Sequence, residues 1–103
     1  MAMRIEVIDT DDSTTPQARA YAEYRLFATL ARHTRLIRSV RVVLAHAERN
    51  GSADCVTCAV NLMLESGSAR ARARGPHAHG AIDRAAERIG DLMARRALQS
   101  LSS

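Results

Sequence analysis

Three stretches of the chain alternate apolar and polar residues with a period of two, and together they leave little choice of architecture. Residues 56–64 (VTCAVNLML) put Val56, Cys58, Val60, Leu62 and Leu64 on one side, with Thr57, Ala59, Asn61 and Met63 on the other. Residues 37–47 (IRSVRVVLAHA) place Val40, Val42 and Leu44 together and turn Arg41 and Val43 the opposite way. Residues 69–75 (ARARARG) separate Ala69, Ala71 and Ala73 from Arg70, Arg72 and Arg74. A period of two is the pattern of a half-buried strand. Asn50-Gly51, within 48–54, is a strong hairpin signal between the first two of these strands in chain order, and 65–68 (ESGS) is a second tight turn. A run of antiparallel strands with one apolar face needs a second layer to cover that face. An earlier β-branched stretch, 3–8 (MRIEVI), supplies one more strand.

The covering layer is found in two helical segments. After the turn residues 9–16 (DTDDSTTP), Thr15 stands at an N-cap position and Pro16 at the first helical one. The segment 16–33 follows, with Ala18, Ala22, Leu26, Leu30 and His33 on one side, Phe27 at the boundary, and Tyr21, Tyr24, Arg25, Arg32 and Arg35 gathered on the other. Gly75-Pro76 breaks the last strand. In the stretch from Ala78 to Arg96 and just beyond it, positions 78, 82, 85, 86, 89, 92, 93 and 97 fall on one apolar face at 3.6 residues per turn. Arg84, Arg88 and Arg95 line up beside that face, with Asp91 between them. The expected fold is therefore α+β: a two-layer β-α-β-β-β-α domain with a four-stranded mixed sheet and two helices on one face. The first two strands, joined through a helix, should be parallel and the other pairings antiparallel. At 103 residues the chain reads as a single domain, 1–103, with a frayed tail over 99–103.

Charge points to a partner class. All fifteen cationic residues are arginine, against eleven carboxylates, for a net charge of +4. The first twelve residues are acidic, and the excess of arginine falls in 13–53 and 70–103, the segments that hold both helices. Arginine forks onto phosphate oxygens and stacks on bases, so a polyanion, with RNA or DNA ahead of a membrane surface, is the favoured partner. No apolar run is long enough to span a bilayer, and the N-terminal residues do not read as a signal peptide. A cytoplasmic protein with reduced thiols is expected.

The ordered set Thr15-Pro16, Arg25-Leu26, Val40-Arg41-Val42-Val43-Leu44 and Ala81-Ile82-Asp83-Arg84-Ala85-Ala86 resembles the ribosome hibernation promoting factor family, also called ribosome-associated inhibitor or sigma modulation proteins. Asn50-Gly51 and Cys58 are similar to its short, single-domain branch. The resemblance covers nearly the whole chain and implies a domain similar to double-stranded-RNA-binding domains. It further implies a protein that lies in the messenger and transfer RNA channel of the small ribosomal subunit and blocks translation in stressed cells. On this resemblance, Arg25, Arg88 and Arg95 match the family's basic pattern for contact with ribosomal RNA, and Arg32 and Arg84 extend it. The chain departs from the family at Pro76-His77-Ala78-His79-Gly80, at His33 and at Asp91, and the dimerisation domain of the long members is not expected.

Other residues with chemical potential point elsewhere. Arg70, Arg72 and Arg74 form the densest positive row. Protection of an edge strand is their first reading, with a secondary RNA contact or a subunit interface as alternatives. Cys55 and Cys58 are spaced as CxxC, but residues three apart on a strand face opposite ways and cannot share a metal. Tyr21 and Tyr24 beside arginines offer base stacking or simple cover for a helix edge. No catalytic constellation, cofactor motif or metal set is expected. A homodimer through the open sheet face, with Val43, Ala59 and Met63, is the alternative to ribosome binding.

Overall fold

The computed structural model describes residues 4–9, 15–49 and 52–102. The elements follow in the order β1 (Arg4–Asp9), α1 (Pro16–Leu30), a short 3-10 turn (Ala31–His33), β2 (Ile37–Arg49), β3 (Ser52–Leu64), β4 (Gly67–Gly75) and α2 (Ala78–Ser102). The sheet order is β1-β2-β3-β4, with β1 parallel to β2 and the other two pairings antiparallel. This is the two-layer β-α-β-β-β-α architecture expected from the alternation and the two amphipathic segments.

Each element begins where its local chemistry allows. The Thr15 hydroxyl accepts from the Ala18 backbone N–H at 3.1 Å, and Pro16 opens α1 without needing a hydrogen-bond partner for its nitrogen. The buried residues of α1, Ala18, Ala22, Leu26 and Leu30, are each four apart and form one ridge. The α-helix stops at Leu30 and tightens into the 3-10 turn, so the segment read as helix to His33 changes character in its last three residues. The β2–β3 ladder continues past 47 and before 56, as far as Arg49 opposite Ser52. The Asn50-Gly51 signal lies outside the described residues. α2 runs through Ser102, past Gln99.

Both helices cover the same sheet face, α1 toward β1 and α2 across β3 and β4. Val40, Val42 and Leu44 of β2 and Val56, Cys58, Val60, Leu62 and Leu64 of β3 are buried beneath them, as the alternation requires. Burial holds the Cys58 thiol in its neutral form, with its pKa pushed up to about 12. Cys55, three residues away, takes the row of the open face opposite Ala47. The two sulfurs thus belong to opposite sides of β3. No helix among the described residues is long and apolar enough to cross a membrane.

The junction between β4 and α2 depends on a missing side chain. A Cβ at Gly75 would lie 2.7 Å from the Ala81 backbone nitrogen and 3.0 Å from the Gly80 carbonyl carbon. Backbone cannot swing aside as a side-chain tip does, so Gly75→Ala must push strand and helix apart. The expected cost is about 1–3 kcal/mol, read as a lowered midpoint in thermal or urea unfolding. An unchanged midpoint would show that this approach relaxes freely.

Candidate nucleic-acid interface

Three arginines of α2 are tied to the outer edge of the sheet. Arg84 Nη1 donates to the Arg74 carbonyl at 2.9 Å, Arg88 Nη1 donates to the Arg72 carbonyl, and Arg96 Nη2 donates to the Ser68 carbonyl at 3.0 Å. The match is geometric. Four residues of helix advance about 6.0 Å, and two residues of strand about 6.7 Å, so positions 84, 88 and 96 run alongside 74, 72 and 68. Leu92 occupies the remaining step, opposite Arg70. β4 is an edge strand, paired only with β3, and half of its carbonyls point away from the ladder. These guanidinium groups satisfy three of them. Each spends one N–H on a carbonyl and keeps others in solvent, since arginine carries five.

The expected stripe of Arg84, Arg88 and Arg95 is therefore divided. Arg84 and Arg88 are exposed but anchored. Arg95 is exposed and makes no ion pair or side-chain hydrogen bond among the described residues, and Arg32, in the 3-10 turn, is in the same condition. Arg96, which periodicity alone does not single out, is the third anchor. Its signal in the sequence is the four-residue step 84, 88, 92, 96 read against the two-residue step of β4.

Arg25 has a different setting. Its Nε meets Asp83 Oδ1 at 3.2 Å, and its Nη1 donates to Thr29 Oγ1 at 2.9 Å. The Tyr21 hydroxyl donates to the same Asp83 oxygen at 2.5 Å, and the Tyr21 ring lies against His79 with centroids 4.3 Å apart. Asp83 thus joins α1 to α2. The helices close tightly beyond it: a Cβ at Gly90 would lie 2.9 Å from Thr29 Cγ2. Helical spacing alone groups Tyr21, Tyr24, Arg25, Arg32 and Arg35. The structure splits that group, because Asp83 draws Tyr21 and Arg25 toward α2. Tyr24 stands with Phe27 on the far side, around a groove bordered by Ile5, Ala20 and Glu23.

The hydrogen bond to Asp83 raises the Tyr21 pKa above the usual phenol value, with burial and the Asp83 charge adding to it and Arg25 opposing. A raised pKa means that the folded state holds this proton more tightly than the unfolded chain does. The stabilisation is complete below about pH 10 and is lost as pH rises through the folded value. Asp83→Ala is expected to cost about 1–2 kcal/mol, since the Arg25–Asp83 pair is partly solvated. It should also bring Tyr21 ionisation back toward the ordinary range in a spectrophotometric titration. A titration curve identical to that of the unaltered protein would remove Asp83 from this role.

The open face of the sheet is laid out by the register. Glu6, Arg41, Asn61 and Arg70 form one row across the four strands; Ile8, Val43, Ala59 and Arg72 form the next; Ala45, Thr57 and Arg74 form a third. Arg4, Ser39, Met63 and Ser68 form the row on the other side of Glu6. Arg70, Arg72 and Arg74 are exposed on this face, as their alternation indicates. Arg4 and Arg41 join them there, a grouping that only strand register reveals. A hollow of about 530 Å³ lies between Val43, Ala59, Asn61, Arg70 and Arg72. No group of three or more metal-ligating side chains is assembled among the described residues.

A two-layer α+β domain with arginines along one helix margin and across an open sheet is suited to binding polyanions. The chain matches the family model described as sigma 54 modulation protein / S30EA ribosomal protein over residues 5–97, and it belongs to that family of ribosome-associated modulators. Two solved structures share the fold. A ribosomal subunit interface protein from Coxiella burnetii superposes with a TM-score of 0.76 at 13% identity, covering 93% of this chain and 99% of that one. The N-terminal domain of Thermus thermophilus Protein Y superposes with a TM-score of 0.72 at 22% identity, covering 92% and 98%. A comparison with curated protein sequences returns no match.

Proposed function

We propose that this chain binds the small ribosomal subunit through ribosomal RNA and represses translation by occupying it. The observation that carries the reading is the margin of α2, where Arg84 and Arg88 are held in register by β4 while keeping N–H groups in solvent. Arg95 lies further along the same helix. A guanidinium already fixed by a carbonyl loses less freedom when it meets a phosphate. Arg32 extends the positive surface at the end of α1. Arg25 adds charge between the helices, but its fork is committed to Asp83 and Thr29. Shape and phosphate contacts of this kind suit structured RNA, which is recognised largely by form. The action is steric and electrostatic, without catalysis, cofactor or metal, and places the protein in the cytoplasm with ribosomes.

The test is co-sedimentation with purified small subunits at rising salt. Neutralising several phosphates makes binding fall steeply with salt concentration. The protein should pellet at low salt and be released as salt rises. A protein that stays in the supernatant at low salt, or pellets equally at all salt concentrations, would overturn the reading.

A further inference from the structure

The arginine side chains of β4 are exposed and unbonded among the described residues. Rows of charge along an edge strand ordinarily guard it against pairing with other chains. Here Arg84, Arg88 and Arg96 of α2 already occupy the outward carbonyls of Arg74, Arg72 and Ser68. The side chains of Arg70, Arg72 and Arg74 project from the same strand onto the open face, where they are exposed and make no ion pair or hydrogen bond among the described residues. The helix thus takes a share in protecting this edge, the first reading of these residues.

We propose that the open sheet face is a second nucleic-acid surface, which takes a single strand of RNA along β4. The three guanidinium groups stand in one file, two residues and about 6.7 Å apart, a step comparable to that between successive phosphates of one strand. Arg41 lies across the face in the row of Arg70, and Arg4 lies in the next row; Glu6 is the one carboxylate on the described rows of this face. The floor beside the file is small and partly polar, with Ala59, Thr57 and Asn61, so a sugar-phosphate chain can approach closely. Thr57 Oγ1 donates to the Ala45 carbonyl at 3.3 Å and keeps its lone pairs for a 2′-hydroxyl donor. The face carries no aromatic residue among these rows, so it reads backbone rather than stacked bases.

A second copy of this chain is a poorer occupant. A symmetric dimer through this face would set one arginine-rich surface, with Glu6 as the one carboxylate on its described rows, against an identical one. The choice of RNA over an acidic peptide rests on the ribosome reading above. With the helix margin already basic, RNA would be held on both faces of the domain.

The experiment is a titration of labelled 12-nucleotide single-stranded RNA, followed by fluorescence anisotropy, with a 12-residue oligoglutamate as the competing probe. Arg70→Gln, Arg72→Gln and Arg74→Gln are combined; they leave the backbone carbonyls and the α2 anchors in place, and an unchanged melting curve verifies the fold. The combined variant should bind the strand roughly tenfold or more weakly at low salt, with a slope of log K against log salt shallower by about 2. Unchanged affinity and slope, absence of binding by the unaltered protein, or equal binding of oligoglutamate overturns the proposal. Ribosome pelleting reports separately on the reading above. A protein that binds the strand through this face yet never pellets overturns the ribosome reading alone. One that pellets while its β4 variant binds the strand unchanged overturns this proposal alone.

Discussion

Combined charge reversal, Arg32→Glu with Arg95→Glu, is expected to weaken association with the small ribosomal subunit by about a hundredfold or more at low salt. Each lost contact between a guanidinium and a phosphate is taken as about 1.5 kcal/mol, and each 1.4 kcal/mol is about a factor of ten. The added carboxylates repel the RNA as well. These two positions make the cleanest test because both side chains are exposed and anchor nothing among the described residues. Reversal at Arg88 would also remove its bond to the Arg72 carbonyl, confounding binding with edge stability. Stability should change by no more than about 0.5 kcal/mol, mainly because the Arg95→Glu change sets a second carboxylate one turn from Asp91. Pelleting and thermal unfolding, measured on the same preparation, check both halves. Full retention of pelleting would mean that the RNA surface lies elsewhere on the molecule.

The second large effect is on the fold. Leu26→Ala should destabilise the domain by about 3 kcal/mol, within the range for buried leucines, and lower the melting temperature by roughly 10–20 °C. Leu26 is fully buried in the middle of the α1 ridge. The core around it is aliphatic. The chain has one Phe, two Tyr and no Trp, and both Phe27 and Tyr24 are exposed. Tyr21 is only partly buried and spends its hydroxyl on Asp83. With no large ring able to shift into the space, the cavity left by Leu26 stays open, and a core of Ala, Val, Leu, Ile and Met has little surplus to absorb it. Circular dichroism melting would check this. A fall of less than about 5 °C would show that α1 settles into the gap.

The faces of β2, β3 and β4 were legible in the sequence, because a strand has only two sides and Val42, Val60 and Ala73 declare theirs by alternation. The helix layer was as well, since Leu26 and Ile89 recur with the helical period. The exposed positions of Arg70, Arg72 and Arg74 followed from the same rule. The partners of the helix arginines were not legible. Arg84, Arg88 and Arg95 look alike on a helical projection, yet the first two bond to β4 and the third does not. Tyr21 and Tyr24 are neighbours one turn apart, yet Tyr21 bonds to Asp83 of α2 while Tyr24 borders the groove beside Phe27 and Ile5.

Period, order and buried face of each element are written in the amino-acid sequence, because those are local properties of the backbone and of the pattern of apolar side chains along it. So is the family, through an ordered set of short segments. Tertiary structure alone decided which polar groups meet. Asp83 serves both Tyr21 and Arg25 because α1 and α2 close together there. Arg84, Arg88 and Arg96 reach the β4 carbonyls because a helix rising about 1.5 Å per residue runs beside a strand rising about 3.3 Å per residue. Long polar side chains on a surface can turn in many directions at similar energy, and only the neighbour that packing brings within reach selects one.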